Sequence, residues 1–236
     1  MRKLHFTLIV LIVAVLQMNA QQFLTPSTTF SKKKTAYVTL ANGNEVKGDI
    51  QSFKWKKGLF KGIVINDENG KKVSLKAQDI DHMYLPPSGL DKISKAAGFV
   101  TNVQKWNNEK LNQDFLEQGY VYFEKTDVKL KKKTQTLLMQ VLNPDFCKYV
   151  KVYYDPLAKK TASLGIGKVN VIGGIAKSYY VKMDGQSVAS LLTKKDYKKE
   201  FKKIWKKCNA VTIKYKDVNW DELPAHIIEY TEQCGE

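Results

Sequence analysis

The sequence predicts an α+β protein: a small amino-terminal β-barrel of the SH3 or Sm-like kind, a helical connection, and a larger antiparallel β-sheet covered by two carboxy-terminal helices. Three observations carry this. Between Ala36 and Leu85 apolar residues alternate and are punctuated by Asn42-Gly43 and Asn69-Gly70, the dipeptides of tight hairpins. Alternation returns after Gly119 and turns again at Asp184-Gly185. From Thr193 the period becomes helical, with Tyr197, Phe201, Ile204, Trp205 and Cys208 on one stripe and lysines over the rest.

The first twenty residues read as a secretory signal peptide. Arg2 and Lys3 precede an apolar run from Leu8 to Leu16, too short to span a bilayer, and cleavage is expected between Ala20 and Gln21. No cysteine stands near that point to carry a lipid anchor, so the expectation is an exported protein, periplasmic or extracellular, without a transmembrane helix. Residues 21–35 form a Ser/Thr-rich lead-in that ends in three lysines.

Residues 36–87 supply the barrel. Val38 and Leu40 share one face, Val46 and Ile50 follow the first turn, Phe53 to Lys61 is a lysine-rich loop, and Gly62 to Ile65, Val73 to Leu75 and Ile80 to Leu85 complete five short strands. An open sheet of that size cannot bury a face, so curling is expected. Pro86-Pro87-Ser88-Gly89 marks a boundary. In residues 88–118, Ile93, Ala96, Ala97 and Val100, then Leu111, Phe115 and Leu116, recur at helical spacing.

Residues 119–236 carry strands at Tyr120–Phe123, Thr134–Leu142, Tyr149–Tyr154, Lys177–Met183 and Gln186–Leu192. The helix that follows has Thr193 as its cap, with Asp196 three residues on to bond back to the cap's backbone. Val211 and Ile213 read as a short extended segment. Leu223, Ile227, Tyr230 and Cys234 then make the stripe of a last helix, on which His226 falls outside the stripe and is expected to be exposed.

Several runs in the second half resemble a family of exported, signal-peptide-bearing proteins of Bacteroidetes bacteria. They are Leu142-Asn143-Pro144, Val152-Tyr153-Tyr154-Asp155-Pro156, Gly173-Gly174 through Lys177-Ser178-Tyr179-Tyr180-Val181, the lysine-rich helix ending at Cys208, and Tyr230 to Cys234. The resemblance implies export and supplies neither an activity nor site residues.

Composition limits function. The chain has 39 basic against 23 acidic residues, and loss of Arg2 and Lys3 with the signal leaves about +14. Arg2 is the only arginine, so every positive side chain after cleavage is a lysine, a hydrated point charge without the planar fork that grips phosphate or guanine. Specific nucleic-acid readout is thereby disfavoured, while attraction to anionic surfaces stands beside plain solvation of lysine-rich faces. Of three cysteines, Cys208 and Cys234 are the best pair because each ends an amphipathic segment; Cys147 reads as a small buried residue.

Catalytic signals are sparse. Gly165-Ile166-Gly167-Lys168 lacks the glycine and the Ser/Thr of a phosphate loop, with Ala162 and Val169 at those places. Only His82 and His226 follow the signal, too few for a three-histidine zinc site. Asp79, Asp81 and His82 read as a solvated strand end rather than a metal site, and no cofactor is expected. The sequence reading is therefore a non-enzymatic binding or envelope-associated protein whose lysines meet anionic polysaccharide, membrane headgroups or an envelope protein. Lys54, Trp55, Lys56, Lys57 and Lys61 on the loop and Lys198, Lys202 and Lys206 on the helix are the candidate contacts. For the loop stretch the competing reading is a twisted hairpin with its aromatics packed inward and its lysines wet. Two alternatives remain at this point: a hydrolase of glycans with spatially assembled carboxylates, and a carrier of a small apolar ligand between Tyr149–Tyr154 and Lys177–Met183.

Overall fold

The computed structural model describes residues 23–56, 58–89, 111–159 and 176–235. The expected signal peptide with its cleavage point at Ala20 and Gln21, most of the expected helical connection, Lys57 and the stretch at 165–168 lie outside the described residues. Ten strands form one sheet, with β1 Thr35–Leu40, β2 Glu45–Lys56, β3 Leu59–Asp67, β4 Lys72–Lys76, β5 Ile80–Leu85, β6 Val121–Leu130, β7 Lys133–Gln140, β8 Val150–Tyr154, β9 Ser178–Met183 and β10 Val188–Thr193. Helices are α1 Gln113–Glu117, α2 Lys194–Ile204, α3 Asn209–Lys214 and α4 Leu223–Cys234. No helix among the described residues is long and apolar enough to cross a membrane.

The strand order is β4-β3-β2-β1-β5-β6-β10-β9-β8, with β7 on the other edge of β6. The Asn42-Gly43 and Asn69-Gly70 turns form where the sequence places them, both glycines with positive φ. At Gly48 a side chain is excluded: a Cβ there would lie 1.9 Å from the carbonyl oxygen of Asn66 on the paired strand. The expected loop from Phe53 to Lys61 is instead paired, Trp55 opposite Phe60 and Lys56 opposite Leu59, with a bulge between Lys54 and Trp55.

The expected closed barrel is not found. β5 gives its second edge to β6, pairing His82 with Glu124 and Leu85 with Val121, rather than turning back on β4. The reason is in the core. Ala36, Ile50, Ile63, Ile65, Ile80 and Met83 pack with Val121, Phe123 and Leu138 of the β6–β7 hairpin, so the concave face is filled by later chain and the five strands need not close on themselves.

The second part of the sheet is not purely antiparallel. β10 runs parallel to β6, Val188 beside Asp127 and Ala189 beside Val128, while β9 and β8 continue antiparallel from it. Asn143, fully buried, spans the bend into β8: its amide donates to the carbonyls of Phe146 and Val150, and its oxygen accepts from the Val152 N–H. Asp155 closes the other end, accepting from Leu157 N–H and the Ser178 hydroxyl.

α2 is capped by Thr193, whose hydroxyl accepts from the Asp196 N–H at 3.2 Å and donates to its carboxylate at 2.6 Å. In place of the expected bond from Asp196 to the cap's backbone, the Asp196 carboxylate meets the Thr193 side chain. The helix stops at Ile204, one turn earlier than its apolar stripe, yet Trp205 and Cys208 remain buried. Val211 and Ile213 fall on α3, a helix and not the extended segment expected. α4 buries Leu223, Ile227 and Tyr230, and Cys208 is bonded to Cys234 across 26 residues.

His226 is fully buried, contrary to the reading from the stripe alone, because α4 is enclosed on a second side by Tyr197, Phe201 and Tyr215. The Trp205 indole donates to the Tyr197 oxygen at 3.2 Å, and the Tyr197 hydroxyl is hydrogen-bonded to His226 Nδ1 at 2.6 Å. Burial lowers the His226 pKa to about 4.

Two expectations follow. The unfolded chain binds a proton at His226 below about pH 6.5 and the folded chain only below about 4, so stability from this residue is complete above 6.5 and lost as pH falls to 4. The loss amounts to about 3 kcal/mol. Denaturant titrations of the native protein and His226→Gln across that window should diverge, and equal slopes would refute the assignment. Reducing the Cys208–Cys234 bridge should cost about 3 kcal/mol, read as a lower melting temperature; an unchanged value would show that it contributes nothing.

Candidate functional site

β6 presents Tyr122, Glu124 and Thr126 on one face and Val121 and Phe123 on the other, as the period of two requires. On the first face lies a cleft of about 750 Å³, within the range of small-ligand sites, lined by Asp81, His82, Tyr122, Glu124, Lys125, Lys148, Tyr149, Lys151, Lys182 and the turn Met183–Gln186. Its centre is Glu124, only 7 % exposed.

Four donors converge on that carboxylate. Tyr153 donates to Oε1 and Lys151 to Oε2 at 2.6 Å; Tyr122 donates to Oε2 at 3.3 Å, and the Lys182 ammonium stands 3.6 Å from Oε1. Lys182 also donates to the Thr126 hydroxyl at 2.9 Å. Burial pulls the Lys182 pKa down, the Glu124 charge pulls it back up, and Lys151 adds to the lowering. Burial and the Glu124 charge push both the Tyr122 and Tyr153 phenols up, so they remain donors. An ammonium carries three donors. Among the described residues Glu124 and Thr126 take up only part of what Lys151 and Lys182 offer as hydrogen-bond donors, with Lys182 also 5.7 Å over the Tyr153 ring.

At the rim, His82 is held from both sides, Nδ1 at 2.9 Å from Asp81 Oδ2 and Nε2 at 3.2 Å from the Thr39 hydroxyl. Asp79 is not part of this group; its carboxylate accepts from the Lys76 N–H and caps a short 3-10 turn at Ala77–Asp79. Among the described residues no three His, Cys, Asp or Glu side chains come together as a metal site.

The residues singled out in the sequence lie elsewhere. Lys54 donates to Ser74 and Lys61 to Gln135 at 2.9 Å, the latter with its pKa lowered first by burial and then by Lys56. Lys56 is exposed, and Trp55 is 49 % exposed with its ring stacked on Phe60. Lys198 and Lys202 stand exposed on α2, and Lys206 is exposed in the turn that follows it. Strands β1, β5 and β6 intervene between the β2–β3 hairpin and β10, which leads into α2, so these lysines do not form one cluster through the sheet. Cys147 is buried, its thiol donating to the Pro144 carbonyl at 3.4 Å. The strands proposed to enclose an apolar ligand carry packed side chains on both faces, Val152 and Val181 under the helices and Tyr153 and Tyr180 on the other side.

Sequence reasoning missed Glu124, Lys151, Lys182, Tyr122 and Tyr153. One signal was available: Glu124 shares its strand face with Tyr122, Thr126 and Val128, so an acidic residue occupies an inward position. Nothing local marks its partners, which come from β8 and β9.

Replacing Glu124 by Gln leaves two half-buried ammonium groups without their counter-charge, a change that costs about 3 kcal/mol. Urea unfolding should show that loss. A variant as stable as the native protein would mean that water, not Glu124, balances Lys151 and Lys182. Comparison with known proteins adds no relative on which to lean: no family model, curated protein or solved structure matches the chain.

Proposed function

We propose that this protein is an exported, non-enzymatic binding protein that holds an anionic ligand in the Glu124 cleft. The observation that carries the reading is the pair of ammonium groups, Lys151 and Lys182, fixed on the cleft floor by one shared carboxylate with donor capacity to spare. Lys125 and Lys148 add positive charge at the walls against Asp81 and Asp184, so the lining carries four lysines and three carboxylates. An acidic saccharide unit, with one carboxylate, phosphate or sulfate, fits a cleft of this size and sign, and Tyr149 offers it an aromatic face. The exposed lysines of α2, Lys198 and Lys202, with Lys206 in the turn after it, extend the attraction to a longer polyanion.

Export is supported by the Cys208–Cys234 bond, which persists in oxidising compartments, together with the amino-terminal signal pattern. The order β4-β3-β2-β1-β5 supports reading the first five strands as an SH3 or Sm-like unit left open to receive β6.

A hydrolase has one observation in its favour: the Asp81–His82 pair lies in the same cleft as Glu124, opposite it in the strand register. Against it, Glu124 is an acceptor surrounded by donors and is ill placed to be the carboxylic acid that glycoside hydrolysis needs to protonate the leaving oxygen.

Calorimetric titration with a short uronate oligosaccharide should show saturable binding that weakens with added salt, and Lys151→Met/Lys182→Met should lose about tenfold or more in affinity. Binding that is indifferent to both substitutions would refute the cleft as the site. Release of reducing ends from the same oligosaccharide, abolished by His82→Ala, would replace the binding reading by the hydrolytic one.

A further inference from the structure

On the face of β6 opposite Glu124 there is a second, chemically different hollow. It measures about 180 Å³ and is lined by Trp55, Phe60, Phe123, Tyr154, Pro156 and Gln140, with almost no charge. Two features set it apart from ordinary packing. Trp55 is a large aromatic residue left 49 % exposed at its mouth, with one ring face taken by Phe60 at 4.7 Å between centroids. Gln140 on its floor is 2 % exposed; its side-chain oxygen accepts from the Ser27 N–H at 3.2 Å, while its Nε2 is buried with no hydrogen-bond partner among the described residues.

A buried amide N–H₂ without a partner costs on the order of 1–3 kcal/mol and is unusual in a native fold. Here it stands beside an open aromatic platform. A ring with an apolar face and an oxygen at its edge satisfies both at once: the ring's C–H face lies on the indole, and the oxygen accepts from Gln140 Nε2. Two nearby lysines are engaged elsewhere, Lys54 with Ser74 and Lys61 with Gln135. The volume admits one six-membered ring and no more than a small substituent.

We propose that the Trp55–Gln140 hollow is a binding subsite for a single neutral sugar ring, distinct from the charged cleft across β6. An acetamido group is the substituent that fits best, because its carbonyl oxygen is a strong acceptor for the Gln140 amide and its methyl suits the apolar wall of Phe123 and Leu138.

The test is a titration of the full chain with N-acetylglucosamine trimer and, in parallel, with cellotriose, followed by tryptophan fluorescence and calorimetry. Of the other three tryptophans Trp205 and Trp220 are buried, and Trp106 is kept in Trp55→Ala, so a shift that vanishes in that variant reports this hollow. The expectation is saturable binding of the acetamido sugar, weakened about tenfold or more in Trp55→Ala and in Gln140→Leu, and unchanged in Lys151→Met/Lys182→Met. Gln140→Leu removes the unpartnered amide but also the acceptor of the Ser27 N–H, two effects of opposite sign, so a melting temperature close to the native value is expected and excludes unfolding as the cause of lost binding. Sugar binding that survives Trp55→Ala overturns the proposal, as does no binding of either trimer at millimolar concentration. Displacement of an apolar dye from the hollow without any sugar binding also overturns it and marks an apolar docking groove instead.

Discussion

Strand β6 has three neighbours, and the layout of the molecule follows from that. One edge is occupied along its length by β7; the other is divided, its first half given to β5 and its second half to β10 running parallel. A strand hydrogen-bonded on both edges and covered on both faces must satisfy the core on each side, and β6 does so with Phe123 towards the amino-terminal strands and Tyr122 and Val128 towards β8 and β9. The amino-terminal strands therefore cannot be a closed unit of their own. Their missing wall is β6.

The same strand divides the chemistry. Glu124, an inward acid, gathers two lysines and two tyrosines that arrive from β8, β9 and β6 itself, whereas Gln140, paired opposite Phe123, faces the aromatic residues of β2 and β3. The charged cleft and the neutral hollow are thus separated by one layer of backbone. A period-two strand puts unlike side chains on opposite faces as a matter of geometry, so a ligand touching both must pass around the sheet rather than through it.

What the sequence displayed and what it hid differ in a physical way. Hairpins announced by Asn-Gly or Asp-Gly were legible because the turn itself selects those residues. The β6–β7 hairpin was not, since its turn uses Lys131 and Lys132, with Lys131 at a φ of 55°, a conformation for which lysine gives no signal. α2, its Thr193 cap and the Cys208–Cys234 bond could be read from spacing alone. His226 could not: its burial depends on Tyr197 and Tyr215, which belong to other elements. The Glu124 cluster was hidden for the same reason, as each of its members is ordinary within its own strand. Local pattern reports which face is apolar; it does not report who stands opposite.

The divided edge of β6 also sets an order of events during synthesis. β5 and β7 are close to β6 in the chain and can pair with it as they emerge, but β10 begins at Val188, 58 residues after β6 ends at Leu130. Until that segment arrives, the second half of the β6 edge presents bare N–H and C=O groups beside apolar side chains, a template for any strand that meets it first. Because the covering helices and Cys234 come later still, the chain stays an incomplete sheet through most of its translation. The second half of the β6 edge is therefore the backbone that waits longest for its partner, and the place where a wrong strand has most time to dock.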